Sequence, residues 1–331
     1  MSATVLAVDG GNSKTDVVIV TGDGVVLAAE RGPGCFGQSP AETVATLATT
    51  LDSACMSLDR SGSDGPVADV GAYCLSGVDF DSDRPLFESA IDRRRWTTRS
   101  IVENDAIAVL MAGSDSHVGV AVVCGTGINC IGVGHDGQRI RFPALGALSG
   151  DWGGGYDLGL AALAAATRSA DGRDRHTVLE ADVLDFLEVS TPLEAIEAVH
   201  RKTISRARLA ELAPVVFAAG AAGDEVAQGL IERLVSEAAA MALSAIRRLN
   251  LEGEAFDVVL GGGMFQGASS LATRVVSAIQ AAAPGGRPTV LSDPPVLGAV
   301  ILGLDEIGAS RAAHRRIRAS HLDEHLFAQV R

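Results

Sequence analysis

The sequence is short of aromatic residues and of basic residues, and each shortage excludes a class of protein. Phenylalanine, tryptophan and tyrosine together make up 4% of the 331 residues. The 27 lysines and arginines are outnumbered by 41 aspartates and glutamates, which leaves a net charge of −14. This acidity argues against a nucleic-acid partner or an anionic membrane, because either would repel the chain. It is compatible with a small anionic ligand, since backbone amides of a loop can bind one.

The sequence also has few cysteines and no long apolar run. Five cysteines, an odd number without a CxxC pair, favour reduced core side chains in the cytosol. The longest stretch without a charged residue, 116–135, contains five glycines and therefore indicates strands and turns instead of a membrane helix. The N-terminal residues lack the basic region and cleavage site of a secretion signal. We expect a cytoplasmic protein that does not enter a membrane.

Glycine, by contrast, is abundant. The chain has 38 glycines, about 11% against an average near 7%. They form short clusters after apolar runs, which indicates tight turns and close approach of the backbone to a ligand. The length of 331 residues is about twice that of a usual domain and predicts two lobes.

One pattern of strands and turns occurs twice. An apolar run ends in DGGNSKT at residues 9–15, and a β-branched run, an Asp-Gly turn and a third apolar run follow. The same order recurs from residue 118, with CGTG at 124–127 as the glycine turn. The repeat predicts two similarly built lobes, each with a β-hairpin. Two opposed turns rich in backbone N–H groups would clamp a polyphosphate.

The first glycine turn is not a P-loop, although its GNSKT resembles the end of one. The glycine that precedes the lysine of a P-loop is missing, and the residues after Lys14 have the pattern of a strand instead of a helix. We therefore expect a hairpin turn that binds phosphate.

Two carboxylates have positions that suit catalysis or binding. Asp105 lies where a short strand stops and a helix begins, which is typical of catalytic carboxylates and equally of helix caps. Asp151 lies among the glycines of residues 146–155 and could accept hydrogen bonds from sugar hydroxyls, although a plain turn would also explain the glycines. A third glycine cluster, at 261–263, follows a predicted strand and precedes a helix, as in many nucleotide sites.

Two C-terminal patterns have simpler interpretations. The arginine-rich stretch 311–318 predicts a solvated surface helix. His321 and His325 belong to an HxxEH pattern of zinc peptidases, but no glycine-rich cleft surrounds it, and we interpret it as part of a charged helix.

Six motifs occur in order along the chain, namely DGGNSKT at 9–15, LSG at 75–77, ENDA at 103–106, GTGIN at 125–129, GDWG at 150–153 and GGG at 261–263. Together they resemble those of N-acetylglucosamine kinases, which belong with the BadF/BadG/BcrA/BcrD-type ATPases in the actin-like superfamily. The resemblance extends from residue 4 to about 303. It implies a two-lobed α/β, ribonuclease H-like fold with a duplicated β-hairpin core and a cleft between the lobes. Residues 1–113 would form the first lobe and 114–331 the second, with a terminal helix that can pack back on the first.

The resemblance also implies roles for individual residues. Asp9 would coordinate Mg²⁺, and Asp105 would be the general base on the 6-hydroxyl of an amino sugar. Ser76, Gly146 and Asp151, with Asp105, would line the sugar. A homodimer is expected. The residues implied in ATP binding are Gly10, Gly11, Asn12, Ser13, Lys14, Thr15, Gly125, Thr126, Gly127, Ala210, Gly262 and Gly263.

Three positions depart from the family pattern. The loop 32–38 has no asparagine where the family often has one that binds sugar, and Cys35 lies in that loop. Leu145 stands where animal relatives have a tryptophan, and Ile128 replaces a serine.

Two other functions are known among related folds. Some relatives are ATPases that drive electron transfer through an iron–sulfur cluster, which two subunits hold between them with suitably placed cysteines. Cys124 and Cys130 lie on the second hairpin, but an apolar strand residue would serve equally at each position. A non-catalytic sugar sensor of the repressor type would need a basic DNA-binding module, which the sequence does not suggest.

Overall fold

The computed structural model describes residues 3–35, 37, 39–58 and 65–327. The chain divides into two compact units. The first comprises Met1–His117 and Leu291–Arg331, and the second comprises Val118–Val290. The sequence-based prediction sets the boundary at residue 113 and lets a terminal helix pack back on the first lobe, whereas in the structure the whole segment from Leu291 onward belongs to the first unit. The part of the chain that the structure describes contains no helix long and apolar enough to cross a membrane.

The first unit is built on a five-stranded sheet with the strand order β3-β2-β1-β4-β5. The first three strands are antiparallel, and β4 and β5 are parallel to β1. Pro33, which cannot donate a ladder hydrogen bond, lies on the edge strand β3. The strands are β1 Thr4–Gly10, β2 Lys14–Thr21, β3 Val26–Pro33, β4 Ala68–Leu75 and β5 Thr97–Asn104.

The described residues of the first unit form six helices. The first begins with a complete capping box, in which Ser39 and Glu42 exchange hydrogen bonds and Pro40 occupies the first helical position. The helices are α1 Pro40–Met56, α2 Asp83–Asp92, α3 Asp105–Gly113, α12 Val296–Glu306, α13 Arg311–Arg318 and α14 Leu322–Phe327.

The C-terminal helices join the first unit through close backbone contacts. α12 lacks a side chain at Gly298, and a Cβ there would lie 1.8 Å from the carbonyl oxygen of Ala108 in α3. The absence of a side chain at Gly303 likewise leaves room for the side chain of Val5 of β1. The apolar helix α12 therefore packs on β1 and α3, which explains why the segment after residue 290 belongs to the first unit.

The arginine-rich helix α13 forms as predicted but is not simply a solvated surface helix. Arg318 donates hydrogen bonds to the carbonyls of Met111, Ala112 and Ser114 at the C-terminal end of α3. Arg316 donates to the carbonyl of Asp23 at 2.8 Å. Two of the arginines thus bind backbone carbonyls, which are acceptors at a helix end and at a turn.

The second unit repeats the sheet of the first. Its order is β10-β9-β6-β7-β8, the same arrangement of parallel and antiparallel neighbours when read from β8. The predicted α/β fold with a duplicated β-hairpin is therefore confirmed. The short edge strand β10 is absent from the sequence-based prediction. The strands are β6 Gly119–Cys124, β7 Ile128–Val133, β8 Arg139–Arg141, β9 Phe256–Gly261 and β10 Gly286–Val290.

The two repeats differ in the connection between their third and fourth strands. Among the described residues, one helix lies in this connection in the first unit, whereas six α-helices make it in the second. The longest of them, α9 (Glu225–Arg248), has 24 residues and packs with its alanine-rich face in the core of the second unit. The helices of the second unit are α4 Gly154–Ala170, α5 Leu179–Leu187, α6 Pro192–His200, α7 Arg206–Ala210, α8 Ala213–Ala221, α9 Glu225–Arg248, α10 Gly263–Gly267 and α11 Ser269–Ala282.

Candidate active site

Three neighbouring parallel strands of the first unit end at one edge of the sheet. In their pairing, Gly10 of β1 lies opposite Leu75 of β4, which lies opposite Asn104 of β5. The residues at these strand ends, Asp9, Ser76 and Asp105, are therefore brought to the same edge. The Ser76 amide donates to the carbonyl of Gly10 at 2.9 Å, which extends the ladder by one residue.

Asp9 is a buried carboxylate in an acidic neighbourhood. Its side chain is 5% exposed. Burial raises the pKa of Asp9 well above its ordinary value, and the nearby Asp105 and Asp16 raise it further, against the opposing effect of Lys14 and Arg31. A bound cation would remove this penalty, and carboxylate oxygens are the ligands that Mg²⁺ prefers. Asp9 thus fits the predicted role of a magnesium ligand.

Asp105 is the first residue of α3, and it is not the helix cap. Asn104 is the N-cap, because its side-chain oxygen accepts from the amide of Ala106 at 3.1 Å. The side-chain amide of Asn104 also donates to the carbonyl of Val78, so it ties the loop after β4 to the end of β5. The alternative role of Asp105 as the helix cap is therefore wrong, and its half-buried carboxylate stands in the first turn of α3.

The first glycine turn is a β-hairpin turn, as predicted. Its residues Asn12 and Ser13 are exposed, and the amide of Gly11 donates to the carbonyl of Lys14 at 3.0 Å. The Lys14 ammonium donates to Asp16 at 2.9 Å. The loop after β3 is hydrogen-bonded to this turn, because the amide of Cys35 donates to the carbonyl of Gly11.

Cys35, in the loop where relatives often have an asparagine that binds sugar, is buried. Its thiol lies 3.4 Å from the hydroxyl of Thr15, which is itself fully buried. Burial raises the pKa of the Cys35 thiol. Two other residues of this loop, Phe36 and Gln38, lie outside the described residues. The contact with Thr15 gives Cys35 a role in supporting the hairpin turn.

The second glycine turn joins β6 to β7 and receives the first turn of α4. The amide of Gly155 donates to the carbonyl of Gly125 at 2.8 Å, and that of Tyr156 donates to the carbonyl of Thr126 at 2.9 Å. Gly154 has a φ of +82°, and a Cβ there would lie 2.4 Å from the carbonyl carbon of Gly127. Only glycine therefore allows α4 to dock on the turn this closely.

Two further predicted nucleotide residues lie against the same turn of the second unit. Gly262, at the end of β9, has a φ of +97°, and a Cβ there would lie 2.4 Å from the carbonyl oxygen of Cys124. Ala210 ends α7, and its carbonyl oxygen lies 2.7 Å from the position of a Cβ on Gly155. The structure thus brings residues 125–127, Gly262 and Ala210 together, with Gly263 opening α10 beside them.

The predicted sugar residues of the second unit share one short loop. Gly146 begins a 3₁₀ turn with a φ of +67°, and its carbonyl accepts from the amides of Ser149 and Asp151. The Ser149 hydroxyl donates to the Asp151 carboxylate at 2.5 Å. The loop therefore fixes one oxygen of Asp151, and the other predicted sugar residues, Ser76 and Asp105, belong to the first unit.

Sequence reasoning missed Asp16 and Arg31. Asp16 is fully buried and accepts from Arg31 Nε at 2.6 Å and Nη2 at 2.9 Å. The only signal in the sequence is a charged residue inside the β-branched strand that follows the glycine turn. The HxxEH pattern forms no site in the part of the chain the structure describes, which has no cluster of three or more potential metal ligands.

Comparisons with known proteins identify the family of this chain. The profile of the BadF/BadG/BcrA/BcrD ATPase family matches residues 6–303, and the chain belongs to this family. An N-acetylmuramic acid/N-acetylglucosamine kinase of Clostridium acetobutylicum is 28% identical over 91% of this chain and 98% of its own length. An N-acetyl-D-glucosamine kinase of Dictyostelium discoideum is also 28% identical, over 91% of this chain and 97% of its own.

A solved structure shows the same fold. A candidate N-acetylglucosamine kinase from Chromobacterium violaceum is 26% identical and superimposes with a TM-score of 0.72. The alignment covers 92% of this chain and 99% of that protein. The predicted membership of the BadF/BadG/BcrA/BcrD family is confirmed.

Proposed function

We propose that this chain is an ATP-dependent kinase that phosphorylates the 6-hydroxyl of an amino sugar, with N-acetylglucosamine as the substrate. The observation that carries the proposal is the convergence of Asp9, Ser76 and Asp105 at the ends of three adjacent parallel strands. Family membership supports the use of ATP, and the names of the two relatives support the sugar. Glucosamine and N-acetylmuramic acid are the alternative acceptors.

Asp105 is the general base of the proposed reaction. It removes the proton of the 6-hydroxyl as that oxygen forms its bond to the γ-phosphorus and the bond to the ADP oxygen breaks. A place in the first helical turn suits this role, because the N-terminus of a helix stabilises a carboxylate. Ser76, Gly146 and Asp151 orient the sugar through hydrogen bonds to its hydroxyls.

Asp9 holds Mg²⁺ in this proposal. When bound, Mg²⁺ neutralises charge on the transferred phosphoryl group. The backbones of residues 10–15 and 125–127 hold the phosphates, and Gly262, Gly263 and Ala210 pack on the adenosine. We also propose that the chain is a homodimer. Because the reaction consumes ATP, a cytoplasmic location remains the prediction.

The alternative of an iron–sulfur ATPase is not favoured by the cysteines. Cys124 and Cys130 are fully buried in the apolar core of the second unit. Burial raises the pKa of Cys124 to about 12, and it raises the pKa of Cys130 as well. A cluster shared by two subunits needs exposed thiolates, and these thiols are neither exposed nor readily ionised.

Product analysis tests the site of phosphorylation. The protein is incubated with Mg-ATP and either N-acetylglucosamine or its 6-deoxy analogue, and the products are examined by mass spectrometry and phosphorus NMR. We expect a sugar monophosphate from N-acetylglucosamine and none from the analogue. A phosphorylated 6-deoxy sugar would show that another hydroxyl is the acceptor.

A further inference from the structure

A row of five side chains, four of them charged residues, crosses the first sheet next to the candidate site. In the strand register, Arg31 of β3 lies opposite Asp16 of β2, and Asp16 lies opposite Asp9 of β1. Asp9 lies opposite Cys74 of β4, which lies opposite Glu103 of β5. Directly paired residues project from the same face of a sheet, so these five side chains share one face.

The row places two carboxylates, Asp9 and Asp16, in adjacent positions. Like charges opposite each other on neighbouring strands destabilise a sheet, and both residues are buried. The structure compensates Asp16 with two cations. Arg31 donates through Nε and Nη2 in a bidentate pair, and Lys14 donates through Nζ. At the other end of the row, Arg84 makes a bidentate pair with Glu103.

The two cations on Asp16 differ in their surroundings. Arg31 lies on β3 and is about one-fifth exposed, whereas the Lys14 side chain is 37% exposed and starts at the phosphate turn. One buried carboxylate thus links a guanidinium anchored in the sheet to an ammonium that can reach solvent. A bidentate arginine pair fixes a carboxylate in orientation as well as in position.

The ion pair with Asp16 reduces the conformational freedom of the Lys14 side chain. A lysine at a hairpin turn has a flexible four-carbon stem, and ordering it on ligand binding costs affinity. Held by Asp16, the ammonium is already ordered beside the turn before a phosphate arrives. Arg31 supplies the second positive charge, so the three groups together keep a net charge of +1 for an anionic ligand.

We propose that Asp16, fixed by Arg31, is a positioning residue that holds the Lys14 ammonium for the ATP phosphates. This inference rests on the proposed function for the identity of the ligand. It adds a role for two residues that do not themselves contact substrate. It predicts that Asp16 acts on ATP through Lys14 and has no separate effect on the sugar.

A double-mutant cycle tests this coupling by the dissociation constant of Mg-ATP, measured by calorimetry without sugar. We expect Asp16→Asn and Lys14→Met each to weaken binding by about tenfold, and the double variant to be about as weak as either. Arg287→Gln, which removes an ion pair with Asp257 in the second unit, is the control and should bind as the native protein does. Additive losses of about a hundredfold in the double variant, or tighter binding by Asp16→Asn, would overturn the inference.

A second variant covers the case in which Asp16→Asn does not fold. Arg31→Lys keeps the charge but loses the bidentate geometry, and we expect it to weaken Mg-ATP binding several-fold while the melting temperature shows a folded protein. Unchanged binding by a folded Arg31→Lys together with unchanged binding by Lys14→Met would refute the coupling.

The same titrations separate this inference from the proposed function. If the native chain binds Mg-ATP but phosphorylates no amino sugar, the kinase proposal fails and the cycle still decides the role of Asp16. If the native chain does not bind Mg-ATP, both fail. In an active enzyme, the KM for ATP should rise in Asp16→Asn and the KM for the sugar should not.

Discussion

Substitution of Gly125 or Gly127 tests whether these glycines are required by the fold or by a ligand. A Cβ at either position would meet no heavy atom within 4 Å among the described residues, and neither has a φ in the left-handed region. Gly154, which docks on the same turn, is the opposite case, since its Cβ would overlap the backbone of Gly127. Alanine substitutions at these positions therefore have different predicted effects.

The expected magnitudes follow from these contacts. Gly→Ala at an unstrained position stabilises a protein by about 0.4–1 kcal/mol through the unfolded state. Gly154→Ala instead combines about 1–2 kcal/mol for the left-handed conformation with about 1–3 kcal/mol for overpacking. At about 2–4 °C per kcal/mol for a unit of this size, Gly154→Ala should lower the melting temperature by about 4–20 °C. Gly125→Ala and Gly127→Ala should leave it unchanged or raise it slightly.

The same alanine substitutions at Gly125 and Gly127 should weaken the binding of ATP. If phosphates approach the bare backbone of this turn, a methyl group at Gly125 or Gly127 blocks them, and we expect binding to weaken at least tenfold, about 1.4 kcal/mol. Thermal melting and calorimetry with Mg-ATP measure the two effects on the same samples. Gly229→Ala, on the exposed face of α9 with open space around it, is a matched control that should bind ATP normally. Native affinity in both turn variants would refute phosphate binding at this turn.

Three other predictions concern the first unit. Asp105→Asn should lower sugar-dependent turnover by about 10²–10⁴-fold while the dissociation constant of Mg-ATP stays within about twofold, and unchanged turnover would remove Asp105 from the mechanism. Asp9→Asn should raise the melting temperature of the metal-free protein at pH 7.5 and abolish activity. The raised pKa of Asp9 means that the folded state binds the proton of this carboxyl more tightly than the unfolded state does. The loss of folding stability caused by Asp9 therefore grows as the pH rises from the ordinary pKa of 3.8 toward the raised pKa. The gain should therefore shrink at pH 4, and a gain independent of pH would contradict this explanation. Arg318→Ala should lower stability by about 1.5–3 kcal/mol, because charged hydrogen bonds to the carbonyls at the end of α3 are lost, and a melting temperature equal to that of the native protein would exclude this role.

The sequence predicts the sheets well because their signals are local. Glycine turns between β-branched runs define both hairpins, and the structure confirms them at 11–13 and 125–127. The strand β10 escapes prediction because four of its five residues are exposed, so it has no alternation of apolar and polar residues. The sequence allows a terminal helix to pack back on the first lobe but does not identify α12 as that helix, since its position depends on the contact between Gly298 and Ala108. An apolar helix alone does not specify its partner.

In the candidate site, too, the residues with a local signal are predictable, and those that depend on strand register are not. Asp9 and Asp105 lie at strand ends, and a change of pattern in the sequence marks each of these ends. The pairing of Asp16 with Arg31 depends on the register of β2 and β3, which the sequence does not display. Asn104 and Asp105 are both good helix caps by residue type, and only the hydrogen bond from Ala106 distinguishes them.

The most direct test of the account is a coupled assay of ADP release with Mg-ATP. The acceptors are N-acetylglucosamine, glucosamine, N-acetylmannosamine, N-acetylmuramic acid and glucose, with a sample without sugar as the control. The account predicts ADP release that depends on an amino sugar and is fastest with N-acetylglucosamine. ADP release that no sugar raises above the control rate would contradict it.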